Sequence, residues 1–204
     1  MTIPAALAPE ALFQACPLEQ LAFETTAELR DGRGPFGQAR AVEALRPGTV
    51  LCDADGRGLR LLHIARRTVP HPLPAACPDH AVLRIRAGTF GEGRPAREVH
   101  LASGTRLLFA GPAIEELCGE PSMLVAAGLL ADGLAVTQAA PGGPPLHCFG
   151  LVAERPGFLL AEGLAVEVTG PDGPGTPLEP ASPAAAGKDP EQLRALMRYL
   201  ARLA

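Results

Sequence analysis

The sequence predicts an all-β fold, and two features of its composition support that prediction. Short apolar runs are repeatedly interrupted by turn residues, with 23 Gly and 22 Pro among 204 residues, about twice their usual joint share. At the same time, 47% of the residues are hydrophobic, which is more than a disordered chain carries. Short apolar segments between frequent turns are typical of antiparallel sheets.

The first predicted unit is a hairpin. Its strands are residues 50–51 and 59–62, and the loop between them is the Asp-Ala-Asp-Gly segment at 53–56, a typical hairpin connection. We expect this loop to be a solvated turn. A calcium site is not expected there, because the five or six further oxygen ligands that Ca²⁺ requires are not evident.

Four further strands are predicted along the chain. In residues 82–87, apolar side chains ending with Ala87 alternate with Arg84 and Arg86, the period of a half-buried strand. Glycines at 88, 91 and 93 then mark a turn. Later strands are expected at 99–101 and 107–109, on either side of a corner at 103–105, and at 159–164.

The chain divides by composition into four parts. Residues 1–20 form a leader, 21–168 the β-domain, 169–188 a linker rich in Pro, Gly and Ala, and 189–204 a helix. Asp189 is a suitable N-cap, Pro190 suits the first helical position, and Gln192 has capping-box spacing. The helix carries one apolar stripe with the spacing of a helical face, formed by Leu193, Leu196, Met197, Leu200 and Leu203.

A helix of this length is marginal alone and must dock on something. Two targets remain open, the β-domain of the same chain and a partner or second copy. The stripe is therefore the predicted contact element for a protein partner or for self-association.

Charge and cysteine content argue against several classes of function. The net charge is −4 and the basic residues are scattered, apart from Arg66-Arg67 and a group between 84 and 97, so no nucleic-acid footprint is present. No apolar run approaches the length of a membrane span. The five cysteines form no C-x-x-C pair, which argues against structural zinc. Free thiols and no export signal predict a cytoplasmic protein, with signal-less secretion left open, and we expect no cofactor.

Five segments of the β-domain carry specific motifs, among them VEALRPG, RIRAG and LLAEGL. These motifs resemble the Hint superfamily of hedgehog autoprocessing domains and inteins, and in particular its bacterial, mostly alphaproteobacterial branch. The resemblance implies a horseshoe of short antiparallel strands with pseudo-twofold halves. The segments follow the order found in the family and are residues 41–58, 63–70, 82–109, 115–133 and 154–164.

The resemblance also implies which positions carry the family's chemistry. In Hint domains, a thiol or hydroxyl at the first residue attacks the preceding carbonyl to form a (thio)ester. One His then polarises the scissile amide and a later His assists proton transfer. Matching the opening CFxxGT strand of the family places the nucleophile position at Ala22, and a different gap places it at Thr26.

The histidine positions of the family carry other residues in this chain. Thr105 stands where LASGTRLL matches the family's LSPDHxLL, and a threonine cannot replace an imidazole as acid or base near neutral pH. Gly150 and Pro156 stand at the two His positions of HxxLDRHxVLLAEGL. The resemblance therefore implies that the fold is kept while the chemistry is lost.

Four residues are weaker candidates for catalysis: Thr25, Cys77, His80 and His147. Cys77 and His80, at i and i+3 in a Pro-rich loop, could form a thiol–imidazole pair or half a metal site, but further ligands are missing, so we expect no metal. His147 adjoins the altered motif and could supply an acid–base group.

The expected function is that of a Hint-domain protein without autoprocessing activity, acting as a binding or structural module rather than an enzyme. The alternative is a residual self-processing domain that cleaves through an N-to-O or N-to-S acyl shift at Thr25, Thr26 or Cys16. For the first interpretation we expect Thr25 or Thr26, Thr105 and Pro156 to converge in one shallow cleft that lacks a catalytic base.

Overall fold

The computed structural model describes residues 23–24, 28–30, 39–69, 82–138, 146–171, 196 and 199. The predicted leader and most of the linker lie outside these residues. The strands are β1 Phe23–Glu24, β2 Glu28–Arg30, β3 Ala39–Ala41, β4 Val50–Cys52, β5 Gly58–Val69, β6 Val82–Ile85, β7 Val99–Ala102, β8 Arg106–Ala110, β9 Ser122–Ala126, β10 Val136–Gln138, β11 Leu146–Ala153, β12 Gly157–Ala161 and β13 Leu164–Val168.

The strands form three sheets, in the orders β1-β11-β5-β4, β10-β6-β7 and β3-β2-β12-β13-β8-β9. Every paired strand in them runs antiparallel to its neighbours. The all-β prediction is therefore confirmed. Helical structure within the described part of the chain consists of one α-helix, α1 (Pro112–Cys118), two short 3-10 helices, Val42–Ala44 and Ala127–Leu130, and helical positions at Leu196 and Tyr199.

The first hairpin forms where the sequence places it. Strands β4 and β5 pair with Val50 opposite Arg60 and Cys52 opposite Gly58, so that residues 53–57 form the connection. The expectation of a solvated turn is wrong for Asp53, which is only 3% exposed. Its carboxylate is buried because it accepts hydrogen bonds from the backbone of its own loop.

The strand predicted at 82–87 is shorter than the alternation indicated. Strand β6 ends at Ile85, and Ala87 is exposed in the turn that follows. Leu83 and Ile85 are buried on the face that the alternation assigns to the core, and Val82, on the opposite face, is buried as well, at 3% exposure. Only Arg84 in this strand reaches solvent.

The segment 159–164, predicted as one strand, is a hairpin. Strands β12 and β13 pair with Ala161 opposite Leu164, which leaves Glu162 and Gly163 as a two-residue loop. Both have positive φ, 50° and 85°, as the type I′ turn of a tight hairpin requires. The apolar run concealed this turn, since Glu-Gly is a weaker hairpin signal than Asn-Gly.

One hydrophobic cluster joins the three sheets. It draws fully buried leucines from successive strands, including Leu59 of β5, Leu101 of β7 and Leu159 of β12. Phe90 in the turn after β6 meets Phe109 of β8 edge to face, with ring centroids 5.2 Å apart, a favourable arrangement for aromatic rings. The three sheets therefore share one buried core.

The core also includes one residue from the predicted C-terminal helix. Leu196 is helical and 0% exposed, and the partly buried Tyr199 packs against the same cluster. The other members of the predicted stripe, Leu193, Met197, Leu200 and Leu203, lie outside the described residues.

Candidate functional site

The start of the β-domain lies between two strands that carry predicted site positions. Phe23 of β1 is paired with Phe149 of β11, and Glu24 is paired with Cys148. Strand β1 also contacts β7, whose C-terminal end leads into the corner at 103–105. The residue before Phe23 is the predicted nucleophile position, Ala22, and the residue after Phe149 is Gly150. The fold thus places the beginning of the domain beside the strands expected to carry the site.

Thr105 closes the corner between β7 and β8. Its amide donates to the carbonyl of Ala102 over 3.0 Å, and its own carbonyl accepts the amide of Ala127 over 2.8 Å. The amide of Gly128 donates to the carbonyl of Ser103 over 2.7 Å. The 3-10 helix 127–130 therefore fixes the backbone of this corner from one side.

The side chain of Thr105 has a different environment from its backbone. The residue is 3% exposed, and its Oγ1 has no hydrogen-bond partner among the described residues. A buried hydroxyl without a partner normally costs about 1–3 kcal/mol. Thr105 is therefore buried beneath the surface and does not line the open, shallow cleft that we predicted.

Gly150 and Pro156 occupy positions that their residue types suit. Gly150 is buried within β11, opposite Ala65 of β5. Pro156 lies in the turn between β11 and β12, where its ring packs directly on the backbone of Gly170; a Cβ added at Gly170 would lie 2.9 Å from Pro156 Cδ. Neither residue offers a group that can exchange a proton.

The histidines of the described residues are distributed over three strands. His63 lies on β5, His100 on β7 opposite Arg84, and His147 on β11 opposite Thr68. The Nδ1 atom of His147 is 3.1 Å from Thr68 Oγ1, and this hydrogen bond is exposed. Since Thr68 is on β5, it lies on the other side of β11 from β1. His147 therefore has a threonine partner on β5, and it directly precedes Cys148, which is paired with Glu24 of β1.

A partly buried ion pair joins the first hairpin to the turn after β11. Arg155 Nη2 donates to Asp53 Oδ2 over 2.8 Å, and Asp53 Oδ1 accepts the amides of Arg57 and Asp55 over 2.7 and 3.1 Å. Burial raises the pKa of Asp53, but the hydrogen bonds from Arg155 and Arg57 outweigh burial and the net pKa is lowered. The carboxylate is thus ionised near neutral pH with both oxygens engaged, so its role is structural.

Two more ion pairs connect strands and turns around the β12–β13 hairpin. Arg97 binds the carboxylate of Glu162 with two hydrogen bonds, of 2.7 and 3.3 Å. Arg106 of β8 binds Glu167 of β13 in the same two-point manner. Burial raises the pKa of Glu167, and the nearby Arg106 offsets this only in part.

The basic group noted in the sequence between 84 and 97 is largely neutralised in the fold. Arg84 pairs with Glu98 over 2.7 Å, Arg94 with Glu92 over 2.6 Å, and Arg97 with Glu162. These contacts disperse the positive charge that an anionic ligand would require.

Several sequence candidates cannot be placed. Ala22, Thr25, Thr26, Cys16, Cys77 and His80 all lie outside the described residues. Within the part of the chain that is described, no group of three or more His, Cys, Asp or Glu side chains is arranged to hold a metal ion. The same residues include no helix long and apolar enough to span a membrane.

A family model described as a Hint domain matches residues 33–173 of the chain. The chain belongs to the Hint domain family. This match covers well over half of the sequence and includes Thr105, Gly150 and Pro156. No curated protein matches the chain in sequence.

Solved structures similar to this Hint domain include two inteins, each with low sequence identity. The MchDnaB-1 intein is 10% identical with a TM-score of 0.42, and the comparison covers 72% of this chain and 100% of that one. A variant of the gp41-1 intein is 10% identical with a TM-score of 0.39, over 72% of this chain and 98% of that one.

Sequence reasoning missed two features of this Hint domain. One is the pairing of Asp53 with Arg155, 102 residues apart. Its one sequence signal is that Arg155 matches the family motif while Gly150 and Pro156, on either side of it, do not. The unpartnered hydroxyl of Thr105 had no signal at all, because burial of a corner residue depends on the 3-10 helix packed against it.

Proposed function

We propose that this Hint domain does not process itself and serves as a binding or structural module. The observation that carries the proposal is the state of Thr105, at the position where the resemblance to Hint domains places a catalytic histidine. Its hydroxyl is buried and has no hydrogen-bond partner among the described residues.

A catalytic acid or base must reach the group with which it exchanges a proton, directly or through one water. The hydroxyl of Thr105 faces the interior, where it contacts no described donor or acceptor. A threonine hydroxyl also does not titrate near neutral pH, whereas an imidazole does. Both the chemistry and the environment of this position argue against proton transfer.

The two other histidine positions support the same conclusion. Gly150 has no side chain, and Pro156 has neither an amide hydrogen nor a titratable group. Each is accommodated by its surroundings: Gly150 is buried in a paired strand, and Pro156 packs on Gly170. The fold around these positions therefore suits residues that cannot catalyse.

Two titratable groups of the described residues already have partners. Asp53 has both carboxylate oxygens engaged by hydrogen bonds and a lowered pKa. His147 is hydrogen-bonded to Thr68 of β5 in an exposed contact. A module of this kind retains the Hint scaffold and its connected core, which can present a surface or hold the segments joined to it.

The proposal is tested by the intact mass of the purified chain, incubated with and without dithiothreitol. We expect the full-length mass under both conditions. Residual activity would release the segment before the nucleophile: residues 1–24 for Thr25, 1–25 for Thr26 and 1–15 for Cys16. Any of these products would contradict the proposal if its formation depends on the nucleophile concerned.

Matched variants identify the source of a product if one forms. Thr25→Ala, Thr26→Ala and Cys16→Ala would each abolish only the cleavage that depends on the substituted residue. A contaminating protease would give a product that persists in all three variants and is removed by protease inhibitors. Only cleavage that one variant abolishes would restore the self-processing alternative.

A further inference from the structure

The hydrophobic core of this protein contains a residue from beyond the Hint domain itself. The family match ends at residue 173, yet Leu196 is 0% exposed and belongs to the same buried cluster as the strands. Tyr199, three residues later, packs against that cluster. A segment outside the matched domain therefore contributes to its core.

The spacing of these two residues matches the face of a helix. Both are helical in the structure, and residues at i and i+3 lie on the same side of a helix. The sequence around them carries the apolar stripe and capping residues described above. The β-domain thus offers a surface that receives one face of an amphipathic helix.

The sequence between domain and helix has the composition of a linker. Residues 169–188 are rich in Gly, Pro and Ala, and the predicted helix begins at Asp189. A chain of about 20 residues with random-coil statistics has an end-to-end distance of about 22–27 Å. Such a linker gives a high effective concentration for docking on the same domain.

We propose that the C-terminal segment, residues 189–204, is an intramolecular ligand of the Hint domain and occupies a helix-binding surface on it. The occupant is the chain's own segment, since Leu196 is buried in the core of the same chain. The surface recognises an apolar face with Leu and Tyr three residues apart. This proposal does not depend on the loss of processing, because it concerns a different part of the molecule.

The test cuts the covalent connection between the segment and the domain while keeping both in the same sample. A protease site is inserted into the full-length chain between residues 176 and 187, the purified protein is cut, and the mixture is passed over a size-exclusion column. We expect the uncut chain to be a monomer and the cut segment to elute with the domain, as identified by mass. Elution of the cut segment as a free peptide would overturn the proposal.

Two variants make the result specific to the buried leucine. In the cut protein, Leu196→Ala should weaken retention of the segment by roughly thirty-fold or more, because a fully buried Leu loses about 2 kcal/mol or more on truncation. Leu134→Ala is the matched control, because Leu134 is 74% exposed and its loss should leave retention unchanged. Equal retention in the two variants would count against the proposal.

The unmutated cut protein decides the question even if Leu196→Ala does not fold. A dimeric uncut chain that becomes monomeric in Leu196→Ala would show that the occupant is the segment of a second copy, which contradicts docking within one chain. Addition of excess synthetic peptide 189–204 to the cut protein should displace the bound segment, as competition for one surface requires.

Discussion

Replacement of Thr105 by valine should stabilise the protein. Valine keeps the branched shape of threonine and replaces the hydroxyl with a methyl group. In the native protein that hydroxyl is buried, in a residue 3% exposed, with no hydrogen-bond partner in the described structure. Folding therefore removes it from water without compensation, whereas a methyl group would gain from the same burial.

The expected gain follows from the cost of burying an unsatisfied polar group. That cost is about 1–3 kcal/mol, and part of it is lost if the slightly different shape of valine is not fully accommodated. We therefore expect the free energy of unfolding to rise by about 1–2 kcal/mol. For a protein of this size, that corresponds to an increase in Tm of about 2–8 °C.

Thr89→Val provides the matched control. Thr89 is also buried, at 9% exposure, but its hydroxyl donates to the carbonyl of Arg86 over 2.6 Å. The same substitution there removes a hydrogen bond and should lower the free energy of unfolding by about 1 kcal/mol. Urea unfolding followed by circular dichroism would measure both variants against the native chain.

The two variants should therefore change stability in opposite directions. If Thr105→Val loses stability as Thr89→Val does, the hydroxyl of Thr105 has a partner in solution. That result would refute the argument that position 105 is an inert replacement for a catalytic group.

Three further substitutions test the charges and contacts that hold the site. Asp53→Asn should lower the free energy of unfolding by about 1–3 kcal/mol at neutral pH, since it weakens a partly buried ion pair with Arg155. Because the folded pKa of Asp53 lies below its usual 3.8, its contribution is present above that pH and is lost as the pH falls further, so urea unfolding should show the two chains converging in acid. Burial raises the folded pKa of Glu167 above 4.5, so ionisation of this carboxyl lowers the free energy of unfolding at higher pH. The native chain should therefore gain stability as the pH falls toward 4.5. Glu167→Gln should remove this gain. Gly170→Ala should lower Tm and cost about 1–3 kcal/mol, because its Cβ would lie 2.9 Å from the rigid ring of Pro156.

Each of these three has an outcome that would contradict it. If the free energies of unfolding of the native and Asp53→Asn chains differ by the same amount down to strong acid, the fold does not stabilise the ionised form of this carboxylate. If the free energy of unfolding of Glu167→Gln depends on pH as it does in the native chain, Glu167 is not the group with the raised pKa. If Gly170→Ala is as stable as the native chain, the turn at Pro156 accommodates the added Cβ at little cost in free energy.

Local sequence signals were sufficient where a turn has strong chemical markers. The Asp-Ala-Asp-Gly loop and the Ser-Gly-Thr corner separate strands where they were expected, because their residues favour turns regardless of the surrounding fold. The Glu162-Gly163 turn was missed because apolar residues flank it on both sides and Glu-Gly is a weak hairpin signal. Only the pairing of Ala161 with Leu164 reveals the hairpin.

Burial was harder to predict than strand position, since it depends on tertiary neighbours. Alternation in residues 82–87 predicted the burial of Leu83 and Ile85, but not that of Val82, which lies on the same face as the partly exposed Arg84. From the sequence, Asp53 was expected to be a solvated turn residue. In the structure it binds Arg155, which is too far along the chain for a local signal to indicate the contact. The family positions were identified from motifs, but the surroundings of Thr105 required the three-dimensional structure.

The most direct test of the central claim is whether the chain cleaves itself near its N-terminus while it is being expressed. A carrier protein fused before Met1 would be expressed with the full chain, and the products would be analysed by mass spectrometry at successive times, with dithiothreitol added to half of each sample. A Hint domain without autoprocessing activity predicts one polypeptide containing carrier and domain at every time. Time-dependent release of the carrier together with a leader ending just before Thr25, Thr26 or Cys16 would contradict the account.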